Sequence, residues 1–467
     1  MIPLAACTSH SLLNPTTEAR KPLSTQIQDA STLMSNTKIV IVGIGSASFG
    51  PKTLGDVFGR PALTDSELWL VDINTEALAA MTRLAERMNQ QWESGVRIHA
   101  TTDIEQALPG ADYVISMLES SRHALWQLDM QIPHKYGVMQ VLGENGGPGG
   151  LSHTLRTAPL VLAVAKAMER HCPQAWLLNY TNPVPRICRA VVKYTAIKVI
   201  GFCHGIGGTI NTIAQILSMP PEDIDVKAAG LNHFHWVLDV RATADGSDLY
   251  PQLRERERTF KSDKRHLWSD LFRRIGYLPF PSDDHIGEYL PFLHVREFGS
   301  WQKYNHDHWL LHWQGEDKRE AMWAEVGAMI NGSKTLSGLE GGSGERAIPT
   351  LLALRDNGNS HELALNIPNL GYIDNLPSGC IVEVPASVSG FGVNGLTIGD
   401  LPTPIAGLCN AQVHVAELAV DAAVTGDRAI ALQPLLADPA INDVDVAENI
   451  LNDYLSVQAD WLPQFAA

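Results

Sequence analysis

From Lys38 onward the chain alternates short apolar runs with amphipathic stretches. "KIVIVG", "ELWLVD", "ADYVISML", "AWLLNYTNP" and "KVIGFCHG" each set Val, Ile and Leu between turn residues, the pattern of parallel strands buried on both faces. Between two of them, "TEALAAMTRLAERMNQQWE" repeats its apolar positions at helical spacing and predicts a crossover helix. This order predicts an α/β fold built on a Rossmann-type, doubly wound sheet. After about residue 205 the alternation loosens into longer helices, including "DKRHLWSDLFRRIGYL", and a strand-rich stretch, "CIVEVPASVSGFGVNGLTI". The expected organisation is a nucleotide-binding domain over 37–204 and an α+β domain over 205–467 that covers its sheet. Residues 1–36 read as a disordered extension, with Met34 as a natural start.

Composition narrows the chemistry. Among 467 residues, 35 Lys and Arg face 51 Asp and Glu, for a net charge of -16. The basic residues are scattered, which argues against nucleic acid and anionic membranes as partners. Six cysteines without CxxC spacing predict reduced thiols and a cytoplasmic location. No apolar run approaches the roughly 18 residues that cross a bilayer, and the first 35 residues lack the features of a secretory signal. Small-molecule chemistry remains.

In open α/β sheets ligands lie beyond the carboxyl ends of the strands. The polar or turn residues expected there are Gly43, Asp72, Glu119, Asn182 and Cys203. In "VGIGSASFG", Gly43 and Gly45 suit a tight turn and a close backbone approach to a pyrophosphate, although Ser48 stands where GxGxxG has its third glycine. Asp72 ends the next strand and suits both ribose hydroxyls of NAD, since its charge repels a 2′-phosphate. It lies farther along than the roughly 20 residues usual after such a turn, which predicts a longer first crossover. "NYTNPV" reads either as Asn179 beside a cofactor with Asn182 on substrate hydroxyls, or as a capped helix start.

"GFCHGIGG" places Cys203 where a strand ends, and Ile206, Ile210, Ile213 and Leu217 then predict a helix whose positive end favours the thiolate. In "AAGLNHFHW", His233 and His235 follow a glycine turn and are expected, if this is a strand, to point in opposite directions, so that only one is a ligand. A thiolate and an imidazole make half of a divalent metal site that water and substrate would complete; the alternative is a buried free cysteine beside core histidines. "LPFPSDDHIGEYLPF" gathers Asp283, Asp284, His285, Glu288 and Tyr289, groups suited to general acid and base work or to a solvated loop.

Taken in order, the GxGS turn, "PHKYGV", "GENGGPGGLSHTLRT", "NYTNP", "FCHG", "GLNHF", "DDHIGEYLP", "NIPNLGYIDNLPSGCIVEVP" and "AVTGDRAIALQPLLADP" resemble glycoside hydrolase family 4 from about Lys38 to the C-terminus. The resemblance implies a sheet like that of lactate and malate dehydrogenases, and a glycosidase that uses NAD and Mn²⁺ or another divalent metal. Its route would be oxidation at the sugar's C3, deprotonation at C2, elimination of the aglycone, addition of water at C1 and return of the hydride. Carried over by residue, Gly43, Gly45, Ser46, Asp72 and Asn179 would bind the cofactor, Asn182 and Glu144 the substrate, and Cys203 and His233 the metal. His204 would be an acid or a substrate contact, and Asp283 the catalytic carboxylate, with Asp284 and Tyr289 as rivals for the base. Where several members carry an arginine before P-x-K-x-G, this chain has Trp126. C-H-G-I at 203–206 is closest to members acting on α-glucuronides, with Gly205 leaving room near the sugar. The resemblance further implies a homodimer or homotetramer acting on a small glycoside. An α-galactosidase or α-glucosidase of the same family, a 2-hydroxy acid dehydrogenase on the same fold and a non-catalytic NAD sensor are the alternatives.

Overall fold

Five residues of each of the first two strands pair in register, Lys38 opposite Glu67 through Val42 opposite Val71. In the computed structural model, strands β1 (Lys38–Val42), β2 (Glu67–Val71), β3 (Arg97–Thr101), β4 (Tyr113–Ser116), β5 (Trp176–Asn179) and β6 (Lys198–Gly201) are parallel in the order 3-2-1-4-5-6. This is the doubly wound order, with its switch point between β1 and β4. The structure describes residues 37–260, 266–291, 293, 303–304 and 316–466. The expected N-terminal extension and the first part of "DKRHLWSDLFRRIGYL" lie outside them.

The alternating geometry of a strand explains the apolar runs. Ile39 and Ile41 face one core with Leu54 and Val57 of helix Gly50–Phe58 and Met81 and Leu84 of helix Thr75–Gln91. Val40 and Val42 face the other, with Leu151, Leu155 and Val161 of helix Gly147–His171. Both faces are covered, so both strand faces must be apolar. The helix at 75–91 is capped by Asn74, whose Oδ1 accepts the N–H groups of Glu76 and Ala77 at 3.1 Å. β3 had no apolar run to announce it, because it is the sheet edge and its burial is mostly shallow.

The sheet continues past β6 through β10 (Ser360–Pro368), β11 (Ile381–Ser389), β7 (Ile224–Leu231), β8 (Phe234–Ala242) and β9 (Leu278–Phe280), all antiparallel, with β12 (Gly392–Gly395) on β11. β10 meets β6 at Asn366 opposite Gly201, and β11 meets β7 at Glu383 opposite Gly230. Side chains fill this seam. Asn366 Nδ2 donates to Glu383 Oε2 at 3.1 Å, Asn232 Nδ2 donates to the same oxygen at 2.7 Å, and His235 Nδ1 lies 2.7 Å from Glu383 Oε1. Among the described residues, no helix is long and apolar enough to cross a membrane.

Candidate active site

The glycine turn leaves β1 toward the switch point. Gly43 has φ 87°, and a Cβ there would stand 2.7 Å from the Met117 carbonyl oxygen at the end of β4. A Cβ on Gly45 would stand 2.6 Å from Asp72 Oδ2, which accepts the Gly45 N–H at 2.7 Å. Asp72 Oδ1 accepts the Asn74 N–H at 2.8 Å, so two amides orient the carboxylate at the end of β2. The helix starts later than the turn alone predicts, at Gly50, because Ser46 Oγ accepts the Phe49 N–H and the Ser46 carbonyl accepts that of Gly50. The helix and the short turn Pro61–Leu63 supply the longer crossover that Asp72 requires. Asn179 is fully buried; its Nδ2 donates to the Thr181 carbonyl at 2.9 Å and its Oδ1 accepts the Thr181 N–H at 3.3 Å, bracing the turn after β5.

Cys203 follows β6 and caps the entry to helix Gly205–Leu217, where the Gly205 N–H donates to its Sγ at 3.4 Å. Its Sγ lies 3.3 Å from His233 Nε2. His233 sits in the two-residue turn between β7 and β8, with φ 60°, and this left-handed backbone turns its ring toward the sulfur. His235, on β8, points the other way, to Thr209 Oγ1 at 3.1 Å and to Glu383. Burial drives His233 well below the ordinary imidazole range, helped by His285 and opposed by Glu144. The ring is neutral, as a ligand must be. Burial also pushes the Cys203 thiol up, with Glu345 and Glu383 adding to it. The helix N-terminus therefore does not make the thiolate by itself; a bound cation is what would.

A third element reaches the same place. One ligand atom each from Glu144, His233 and His285 lies within 4.8 Å of the others, and the two imidazole rings are 4.1 Å apart between centroids, tilted by 35°. Glu144 Oε1 accepts Asn182 Nδ2 at 3.1 Å and its Oε2 accepts Asn145 Nδ2 at 3.2 Å. Beneath it, Glu288 Oε1 accepts the N–H groups of Glu144 at 2.5 Å and Asn145 at 2.9 Å, and burial followed by Glu144 raises the Glu288 carboxyl to about 8. His153 joins Glu119 Oε2, 3.1 Å from its Nε2, to the Glu144 carbonyl, 2.9 Å from its Nδ1. Trp126, where an arginine was missed, donates its Nε1–H to the Leu142 carbonyl at 2.6 Å and braces the same turn.

Other predicted residues take different places. Asp283 accepts the N–H groups of Leu267 and Trp268, each at 2.9 Å, and so caps helix Leu267–Ile275. Asp284 Oδ1 accepts Ser282 Oγ–H. Tyr289 stacks on Phe234 and donates to the Asn232 carbonyl at 3.2 Å, and burial pushes its phenol well above the usual range. His204 is 63% exposed at its side chain, with Nδ1 2.7 Å from Glu345 Oε1, and that hydrogen bond raises its pKa. The space beside Gly205 is narrow: a Cβ would meet Pro281 Cβ at 3.2 Å and Cys203 Sγ at 3.4 Å, so a larger residue there would press on both.

The sequence offers His285 only as one of several acid and base groups in "LPFPSDDHIGEYLPF", and gives Glu345 in "EGGSGER" no role. The spacing of His285 and Glu288, three residues apart at a helical turn, was the available signal for the first. For Glu345 there was none, since it is 141 residues from His204.

Residues 38–219 match the model of the family 4 glycosyl hydrolases, and residues 228–441 match the model of that family's C-terminal domain. The chain belongs to family 4 of the glycosyl hydrolases. This family 4 enzyme is 33% identical to an alpha-glucosidase of Erwinia rhapontici, over 91% of this chain and 99% of that one. It is 30% identical to an alpha-galactosidase of Bacillus subtilis (strain 168), over 92% and 99%. It is 27% identical to an alpha-galacturonidase of Thermoanaerobacterium saccharolyticum, over 86% and 91%. Among solved structures, Bacillus subtilis lplD superposes with a TM-score of 0.79 at 26% identity, covering 90% of this chain and 100% of that one. A 6-phospho-alpha-glucosidase from gut microorganisms, solved with NAD and Mn²⁺, shares the fold with a TM-score of 0.77 at 22% identity, covering 92% and 99%.

Proposed function

We propose that this family 4 enzyme hydrolyses α-linked hexuronides, α-glucuronides foremost, by the NAD- and metal-dependent redox route. One observation carries the reading: Cys203 Sγ lies 3.3 Å from a neutral buried imidazole, His233, just beyond β6, on the carboxyl edge that also bears the Gly43–Gly45 turn and Asp72. Gly43 and Gly45 pack too closely against Met117 and Asp72 to carry side chains, which keeps the turn tight as a dinucleotide-binding turn requires, and Asp72 suits an unphosphorylated ribose. Thiol and imidazole donors fit a borderline divalent ion, and His233 Nδ1 and Asn182 Oδ1 are buried without partners among the described residues. The relatives named alpha-galacturonidases and the Cys203–His204–Gly205 triplet support a uronide substrate. Five described cysteines are free thiols, which supports a cytoplasmic enzyme.

When bound, the dinucleotide supplies reversible hydride transfer at C3 and the metal supplies Lewis acidity that eases loss of the C2 proton. The chain's own residues position and move protons. Asn182 is held by Glu144 and offers Oδ1 to a sugar hydroxyl. His204, fixed at Nδ1 by Glu345, keeps its other nitrogen for the leaving group or the sugar. With both Asp283 oxygens taken by helix N–H groups, Asp284 Oδ2 is the carboxylate oxygen of that pair with no hydrogen bond among the described residues, and we assign the base role to it.

The test is a panel of nitrophenyl α-hexuronides, α-glucosides and α-galactosides with NAD⁺, Mn²⁺ and reductant in D₂O. Uronide cleavage without net NADH, and product carrying deuterium at C2, supports the reading. Cleavage that persists without NAD and without exchange would overturn it, as would stoichiometric NADH. The 33% identity to an alpha-glucosidase favours a second substrate class, which would show as preference for the neutral α-glucoside in the same panel.

A further inference from the structure

We infer that His204 is the acid that protonates the departing aglycone, and that segment 339–346 positions it by tying it to the helix entered from the dinucleotide turn. The inference rests on the glycosidase reading above. His204 stands at the N-cap of helix Gly205–Leu217 with its side chain 63% exposed, one residue past Cys203, which lies against the buried His233 ring. A sugar seated over that buried pair keeps its aglycone toward solvent, since the aglycone has to leave, and His204 is on that side. In the step assigned to it, the electron pair left at C2 by loss of its proton forms the C1–C2 double bond. The C1–O bond breaks with its pair on the aglycone oxygen, and the His204 Nε2 proton goes to that oxygen. The neutral ring then takes a proton from the water that adds at C1, which restores the acid.

The tether begins at Glu345, whose side chain is buried and whose Oε1 lies 2.7 Å from His204 Nδ1. A carboxylate only accepts, so the ring donates its Nδ1–H and Nε2 is the nitrogen left for the aglycone. The Glu345 N–H donates to Ser343 Oγ at 3.0 Å. Ser343 in turn donates its N–H to both Asp56 oxygens, at 3.2 and 3.1 Å, and its hydroxyl to Oδ2. Asp56 belongs to helix Gly50–Phe58, into which the Gly43–Gly45 turn leads. Glycines allow the close approach from both sides: a Cβ on Gly342, where φ is 67°, would clash with Asp56 Oδ1, and one on Gly55 would clash with the Leu339 carbonyl oxygen. At the other end, Arg346 Nε and Nη2 donate to Glu362 of β10 at 2.8 and 3.0 Å. Helix, tether and ring are thus joined by an unbroken run of hydrogen bonds, which fixes the acid relative to the dinucleotide turn although 148 residues separate Asp56 from His204 in sequence. Glu345, Ser343 and Asp56 are positioning residues in this arrangement.

The experiment compares full-length wild type with His204→Gln, Glu345→Ala, Glu345→Gln and Ser343→Ala. Each is assayed with NAD⁺ and Mn²⁺ on nitrophenyl and unsubstituted phenyl α-glucuronides and α-glucosides. Protonation matters most for the poorer leaving group, so His204→Gln should lower kcat on the phenyl glycoside by at least about 100-fold and on the nitrophenyl glycoside by less than about 10-fold. Glu345→Ala should show the same bias and Ser343→Ala a smaller one, with KM changing less than kcat. Glu345→Gln, which keeps an acceptor for Nδ1–H, should recover part of the loss. A second readout needs neither sugar nor cofactor: ¹H–¹⁵N spectra of protein labelled with ¹⁵N-histidine, with His204→Gln identifying the resonance. The neutral His204 ring should hold its proton on Nδ1 in the wild type and shift toward Nε2 in Glu345→Ala and Ser343→Ala. Circular dichroism reports folding, and His204→Gln and Glu345→Gln decide where an alanine variant unfolds. Equal losses on both glycosides, in an enzyme that still needs NAD, would overturn the acid role alone. An unchanged tautomer in the folded Glu345 and Ser343 variants would overturn the tether. A wild type with the expected tautomer that cleaves no glycoside would uphold the tether and overturn the proposed function together with the acid role.

Discussion

The six parallel strands and the junction beyond β6 are held by different means. From β3 to β6 the strands pair residue after residue, and the backbone ladder alone sets where each strand ends. At the junction, β10 touches β6 at Asn366 and β11 touches β7 at Glu383, and the amides and carboxylate of those residues carry what the ladder does not. The glycine turn and Asp72 belong to the first region; Cys203 and His233 straddle the second. Continuous ladders give a rigid cradle at which little remains unpaired. A seam joined by side chains leaves polar groups in the interior, and there the thiol and imidazoles meet.

The largest test of this contrast separates the two regions by ligand. Cys203→Ser is expected to lose metal and to lower kcat/KM by more than about 100-fold while dinucleotide binding persists. Asp72→Ala should do the reverse, weakening NAD and leaving metal content intact. Equal loss of both ligands in either variant, by calorimetry and metal analysis, would mean that the regions are not separable.

Next in size, Glu383→Ala removes the acceptor shared by Asn232 and Asn366 and the carboxylate oxygen 2.7 Å from His235 Nδ1. Leaving those groups buried and unpaired should lower stability by about 3 kcal/mol. Urea unfolding measures it, and an unchanged midpoint would show that the seam does not depend on its side chains. The matched change in the cradle is Gly43→Ala. A residue with a side chain at φ 87° and a Cβ 2.7 Å from a carbonyl oxygen should cost about 1–3 kcal/mol and weaken NAD binding.

The smallest effect concerns pH. Glu345 raises the His204 pKa, so the pair's stabilisation is complete below the unfolded histidine value near 6.5 and disappears as pH rises through the folded value. Because His204 is exposed to solvent, the contribution is below about 1 kcal/mol. The thermal midpoint of the wild type should therefore fall slightly more between pH 6 and 9 than that of Glu345→Gln. Parallel pH curves for the two proteins would refute it.

Much of the parallel half was legible because each strand there is buried on both faces and must be apolar along its length. β3 escaped for the complementary reason: as an edge strand it has no such requirement. Helix Gly205–Leu217 was readable from four isoleucine and leucine positions, whereas the expectation that His233 and His235 diverge as strand residues misjudged the strand, whose residues two apart share a face; they diverge because His233 stands in the left-handed turn before β8. The proposed metal pair, Cys203 and His233, was read from the family resemblance together with the strand-end position of Cys203.

Local sequence determined what each segment could do: where strands and helices run, which turns need glycine, and that Cys203 and His233 offer metal-binding atoms. Tertiary structure alone decided which of those groups meet. The carboxylates at 283, 284, 288 and 345 have the same chemistry in the sequence, but one caps a helix, one accepts a serine hydroxyl, one lies beneath Glu144 and one holds His204. Side-chain direction depends on backbone angles and on neighbours more than a hundred residues away, and pairing across a seam with little backbone ladder is set by packing, which no local pattern encodes.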